Sequence, residues 1–203
     1  SMENYTNDFG AAQLAAALGM DDEADYYHNR ALRYPALFNA EAGGFFVSKD
    51  QQGAFRNIDG YNPAAWWGDY TETNGWNMVF DVPSDINGLA GLLGGRDALA
   101  AKLDAFFGAD PRLNLDGTIH EMVEARDVRM GYHGQSNEPS IHIPYLYDYA
   151  GQPWKTQEIV RELMGRMYVG SGIGQGYLGD EDGGTMSAWY VFSALGFYPV
   201  SVG

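Results

Sequence analysis

The chain has 203 residues, 45% of them apolar and only 19% charged, enough for a sizeable globular core and too apolar for a disordered tail. A net charge of −15 argues against phosphate backbones as partners and suits a neutral substrate, a cation or plain solubility. There is no cysteine, hence no disulfide framework, and no apolar run of membrane-spanning length. Ser1 and Met2 read as an expression scar, so the lack of a visible signal peptide carries no information.

In chain order, residues 9–18 predict a short Ala/Leu helix closed by Gly19. Asp21 and Asp22 offer an N-cap to a second helix running to about Asn39, with Ala24, Tyr27, Ala31 and Tyr34 at helical spacing. The pair has the outline of a tetratricopeptide hairpin, but no such period recurs. Residues 43–83 read as loop, with "GGFFVSKDQQGAF" a short hairpin. Helices are predicted over Asp85–Leu93 and Asp97–Phe107, the latter with Leu99, Leu103, Phe106 and Phe107 on one face. Residues 108–139 are expected to be a long polar loop. Further helices follow around Ile141–Tyr149, from Pro153 through an apolar face of Ile159, Val160, Leu163, Met164 and Met167, and over "MSAWYVFSALG", nearly all apolar and expected to be buried, with Gly196 past its end. The fold class is mainly α. There is no alternating βαβ pattern, no phosphate-cradling loop with Lys and no GxSxG elbow.

Glycine (27 residues) and aromatics (14%, with 14 tyrosines and 5 tryptophans) suit a carbohydrate site, where ring faces pack on sugar C–H groups, although any single ring is more often core. Three loops concentrate polar groups. In Trp66-Trp67-Gly68-Asp69-Tyr70-Thr71-Glu72-Thr73-Asn74-Gly75-Trp76, aromatic surroundings would raise the pKa of Glu72 and keep it protonated as a general acid; the alternative is a Glu bracing a loop. The stretch Tyr132–His142 offers His133, Asn137 and Glu138 as ligands or as donors to sugar hydroxyls, and its oxygens suit Ca²⁺ better than zinc; Glu138-Pro139 equally fits a helical first turn. In Gly179-Asp180-Glu181-Asp182-Gly183-Gly184 three acids precede an apolar helix, and a cap needs only one. Separated carboxylates, one among aromatics and one in a polar loop, fit the two-carboxylate scheme of glycoside hydrolysis.

The segments "GDYTETNGWNMVFDVPSDINGLAGLLGG", "HGQSNEPSIHIPYLYDYAGQPWKTQEIVRE" and "GYLGDEDGGTMSAWYVFSALGFYPV" resemble glycoside hydrolase family 92 over nearly the whole chain, most weakly before residue 40 and between 108 and 130. The resemblance implies an (α/α)₆ barrel preceded by a β-sandwich, and inverting, calcium-dependent exo-α-mannosidases acting outside the cytoplasm (secreted, periplasmic or cell-surface) on α-mannoside glycans such as α-1,2-linked ones. It implies Glu72 of "YTE" as the acid and Asp180 and Asp182 of "GDED" as the base pair, Asp182 being the base itself. Trp66, Trp67, His133, Asn137 and Glu138 become candidates for substrate contact, and Asn137 and Glu138 for calcium ligands. Calcium on the sugar's O2 and O3 would help hold the ring distorted toward a planar transition state. The chain departs from the family where "HGQSNEP" carries two residues between Gly134 and Asn137 in place of "HGNEP". A Glu at 72, where hydrolases of mannose-phosphate diesters in the family can carry an amide, favours ordinary mannosides. The alternatives are such a phosphodiester hydrolase, or a non-catalytic carbohydrate-binding or scaffold domain of the same fold. The chain is expected to be the C-terminal half of the catalytic domain, to lack the β-sandwich and earlier barrel segments as partners, and to hydrolyse little alone.

Overall fold

The computed structural model describes residues 2–56, 58–66, 68–110, 119–170 and 176–201, and the described residues are mainly helical. The chain divides into two compact units, Ser1–Leu92 with Pro199–Gly203 and Leu93–Tyr198.

The first unit opens with α1 (Met2–Ala17) and α2 (Asp21–Ala31), which pack together. Alanines make the close approach: Ala12, Ala15 and Ala31 are buried, and Arg30 reaches Asp8 at 3.1 Å. Gly19, with φ +72°, ends α1 as expected, with Met20 N–H on the Ala15 carbonyl and Gly19 N–H on that of Ala16. The helix also extends back to Met2, well before residue 9. The second helix stops at Ala31 and not near Asn39. Pro35 locks its own φ, disfavours an α conformation before it and opens a 3₁₀ turn, Tyr34–Leu37. No side chain caps α2; Asp21, Asp22 and Glu23 occupy its first turn, where the helix dipole favours them.

The strands β1 (Phe38–Asn39) and β2 (Phe45–Phe46) pair antiparallel, Phe38 against Phe46, and the expected hairpin beyond them is closed by a bridge between Lys49 and Phe55. A single helical turn, α3 (Gly75–Met78), interrupts the loop and packs on β2; α4 (Ile86–Leu93) follows. Asp85 N-caps α4 by accepting Gly88 N–H and also takes the Tyr34 hydroxyl, at 2.9 and 2.8 Å.

Asp81, between these two helices, is 8% exposed, and its Oδ2 has no partner among the described residues. Burial, with Glu3 adding repulsion, pushes its carboxyl up to about 7. A raised acid pKa means the folded chain keeps a proton the unfolded chain has lost, so stability falls as pH rises from the ordinary carboxylate range to about 7. Asp81→Asn is therefore expected to stabilise by about 1–3 kcal/mol at pH 8, a Tm gain of roughly 2–4 °C per kcal/mol, and by much less at pH 4.5. Equal gains in thermal melts at both pH values would refute this.

The second unit contains α5 (Arg96–Phe107), α6 (His120–Val128), α7 (Leu146–Tyr149), α8 (Pro153–Met167) and α9 (Thr185–Leu195). Its core is built from Leu99, Leu103 and Phe106 of α5, Ile143, Leu146, Leu163 and Met167, with Trp189 of α9 donating its indole N–H to the Ile141 carbonyl at 2.9 Å. Helix α6 lies where a polar loop was expected; it buries Met122 and Ala125 behind a charged surface, and Ile119 just before it is buried too. Helix α9 is also not buried throughout. Met186, Trp189 and Ser193 face the core, while Tyr190, Val191 and Leu195 are exposed. Its end follows the sequence expectation: Gly196 at φ +87°, Phe197 N–H on the Phe192 carbonyl and the two phenyl rings in contact.

Candidate active site

The loop carrying Glu72 is pinned on both sides. A bridge joins Trp66 to Asn74, and the Asn74 side chain accepts from the Asn77 N–H at 3.0 Å, capping α3. The Tyr70 hydroxyl donates to the Phe46 carbonyl at 2.7 Å, so in the 2.6 Å contact between Tyr61 and Tyr70 the Tyr61 hydroxyl is the donor. Gly75 has no room for a side chain, since a Cβ there would meet the Tyr61 hydroxyl at 2.3 Å. Thr73 and Asn74 are fully buried, whereas Glu72 is exposed and not enclosed by the surrounding rings. Its φ is +52°. Trp66 is half-buried in the bridge, and Trp67 lies outside the described residues.

In the second unit the acidic cluster resolves into separate roles. Glu181 is the capping acid, accepting the Ser187 N–H at 3.2 Å and the Ser187 hydroxyl at 2.9 Å. The Tyr177 hydroxyl, and then Ser187, hold its carboxyl below the ordinary range. Asp180 and Asp182 are exposed, and neither side chain is paired among the described residues. Asp182 begins the 3₁₀ turn Asp182–Gly184 at φ +52°. Among the described non-glycine residues, positive φ occurs at Glu72, Arg129 and Asp182. A side chain there costs about 1–2 kcal/mol, and Arg129 has a structural reason, ending α6 with Met130 N–H on the Ala125 carbonyl. Glu72 and Asp182 have no such helix-ending role.

His133 is fully buried between Phe106 and Phe107, with ring centroids 6.0 and 5.4 Å away, and burial lowers its pKa to about 4, so the ring is neutral. Asn137 is buried, and Glu138 is exposed on the 3₁₀ turn Glu138–Ser140, the first-turn position its Pro neighbour suggested. The donors at 137 and 138 are oxygens with no thiol or paired imidazole, the chemistry of a hard cation. Among the described residues no three or more His, Asp or Glu gather into a metal cluster. The loop around His133 meets the acidic loop directly, because Ser136 packs on Gly179. Sequence reasoning missed Glu124, on the unpredicted α6, and Tyr168, 33 residues from its partner Gln135.

The match to the glycosyl hydrolase family 92 catalytic domain extends over residues 1–203. An uncharacterized secreted glycosidase of Arthroderma benhamiae is 28% identical over 98% of this chain and 25% of its own length. Two solved structures from Bacteroides thetaiotaomicron are similar over 98% of this chain. One is a family 92 α-mannosidase, 33% identical with a TM-score of 0.83 over 24% of its length. The other is a family 92 inverting mannosidase, 40% identical with a TM-score of 0.79 over 27% of its length. The chain thus spans about a quarter of the length of these relatives. It belongs to the catalytic-domain family of glycosyl hydrolase family 92.

Proposed function

We propose that this chain forms part of the (α/α)₆ catalytic barrel of an inverting exo-α-mannosidase acting outside the cytoplasm on terminal α-mannosides. The observation that carries this reading is that Glu72 and Asp182 are both exposed carboxylates held at positive φ on loops tied down by their neighbours. Glu72 gives its proton to the leaving oxygen as the glycosidic bond breaks. Asp182, with Asp180 beside it, takes a proton from the water that attacks the opposite face of the anomeric carbon, and β-mannose leaves. A Glu at 72 suits alkoxide leaving groups, which need that proton, over phosphate, which does not. The exposed apolar residues of α9 and the rest of the mannose pocket are completed by further barrel and β-sandwich segments, as the length of the relatives supports.

Asn137 and Glu138 are proposed to supply oxygen ligands to a calcium ion. When bound, calcium supplies a positive anchor for vicinal sugar hydroxyls. The test of the whole reading is proton NMR of mannose release from an aryl α-mannoside by the enzyme carrying this chain. β-Mannose is expected as first product, with activity lost in EDTA and restored by Ca²⁺. An α-mannose first product would overturn inversion; full activity after exhaustive chelation would overturn the calcium assignment.

A further inference from the structure

We propose that Gln135 and Ser136, the two residues between Gly134 and Asn137, are positioning residues that set the loop bearing Asp180 and Asp182. The inference rests on the reading of Asp182 as the base. Both side chains are polar and buried, 2% and 6% exposed, which is costly unless each is paired. Both are paired, and to different elements.

The directions of the Gln135 bonds follow from one another. The Tyr168 hydroxyl faces Met186 Sδ at 4.0 Å, where it can only donate, so it accepts from Gln135 Nε2 at 3.1 Å. Gln135 Oε1 is then the group that faces His133 Nε2 at 2.7 Å, and as an acceptor it requires the proton on that nitrogen. His133 Nδ1 is left as a bare lone pair, buried and without a partner among the described residues. A single line of donors therefore runs from His133 through Gln135 and Tyr168 to Met186, in the first turn of α9 and four residues past Asp182. Tyr168 is itself held, stacked on Trp189 at 5.4 Å and bridged to Tyr177, whose hydroxyl engages Glu181.

Ser136 acts on the other end of the same loop. Its hydroxyl donates to Glu124 Oε2 at 2.6 Å, anchoring it to α6. Its Cβ is so close to Gly179 that a Cβ added there would sit 2.4 Å away. Gly179 directly precedes Asp180, so Ser136 determines how near the acidic loop approaches. Neither residue reaches solvent enough to hold a sugar. Their effect is on where the carboxylates stand.

The test is steady-state kinetics on an aryl α-mannoside with the intact enzyme. Gln135→Leu keeps the volume and removes both hydrogen bonds. It is expected to lower kcat about 10–100-fold, as a small misplacement of a reacting group does, with KM within about threefold. In an Asp182→Asn background the same substitution should cost nothing further, because the group it positions is gone. A rise in KM with kcat unchanged, or a full multiplicative loss in the Asp182→Asn background, would overturn the proposal. Full activity of Asp182→Asn alone would instead overturn the base assignment and this inference with it, which keeps the two failures distinct. Should Gln135→Leu not fold, Tyr168→Phe breaks the same line and carries the same expectations. Independently of activity, nitrogen-15 NMR of His133 should show one neutral tautomer, protonated at Nε2. A proton on Nδ1 would refute the donor line.

Discussion

Glu72→Gln is expected to slow cleavage of alkyl α-mannosides and natural glycosidic linkages by about 10²–10⁴-fold and to slow activated aryl mannosides by less than roughly tenfold. The difference is set by the leaving group. An alkoxide departs only if it is protonated in the transition state, and the amide has no acid proton to give. A nitrophenolate is stable enough to leave unaided. Gln matches Glu in size, meets the same φ of +52° at the same cost, and stands on an exposed loop crest whose supports, the Tyr61–Tyr70–Phe46 line and the Asn74 cap, are untouched. Its stability should change by no more than an ordinary surface substitution does, about 0.5 kcal/mol. The measurement is kcat/KM for a matched pair of substrates, one alkyl and one dinitrophenyl. Equal loss on both would mean that Glu72 braces the loop and is not the acid.

How much of this was legible in the residues depends on how local the cause is. The ends of α1 and α9 could be read because a left-handed terminus is imprinted as glycine, at Gly19 and Gly196. The face of α5 could be read because Leu99, Leu103 and Phe106 recur at helical spacing and are all fully buried. Helix α6 could not. Its buried residues, with Ile119 just before it, are few among charges, and its left-handed end falls on Arg129, so neither a long apolar stripe nor a glycine stop announces it. The signal that existed was the spacing of three between Ile119, Met122 and Ala125. The all-apolar sequence of α9 likewise does not say which of its faces a neighbour covers; only the Met186–Trp189–Ser193 stripe is packed. In the site, the excess of acids in "GDED" was visible, but which of them caps the helix is a matter of reach. Glu181 has the extra methylene and takes Ser187. The burial of His133 and its link to Tyr168 depend on contacts from Phe106, Phe107 and a bridge far along the chain, which no local pattern encodes.

Asp182→Asn is expected to lower kcat by about 10²–10⁴-fold on every substrate, activated aryl mannosides included, without lowering the Tm. The base works on the water, so a better leaving group does not compensate for its loss; this separates the variant from Glu72→Gln in a single assay. The stability side follows from the backbone. A φ of +52° costs a side chain about 1–2 kcal/mol, and Asn is among the residues that bear it best. Exposed, and with no donor to Asp182 among the described residues, the carboxylate has no pairing to lose. Removing it also relieves repulsion from Asp180 and Glu181 beside it. The Tm should therefore stay level or rise, by up to about 1 kcal/mol in stability. Glu181 supplies the contrast: Glu181→Ala loses the Ser187 cap and the Tyr177 contact, so it should lower the Tm while retaining more activity than Asp182→Asn. The paired readout, thermal melts against kcat for the two variants, decides the matter. A marked fall in Tm for Asp182→Asn would make Asp182 a structural acid, and the carboxylate held under strain would then have to be explained by something other than catalysis.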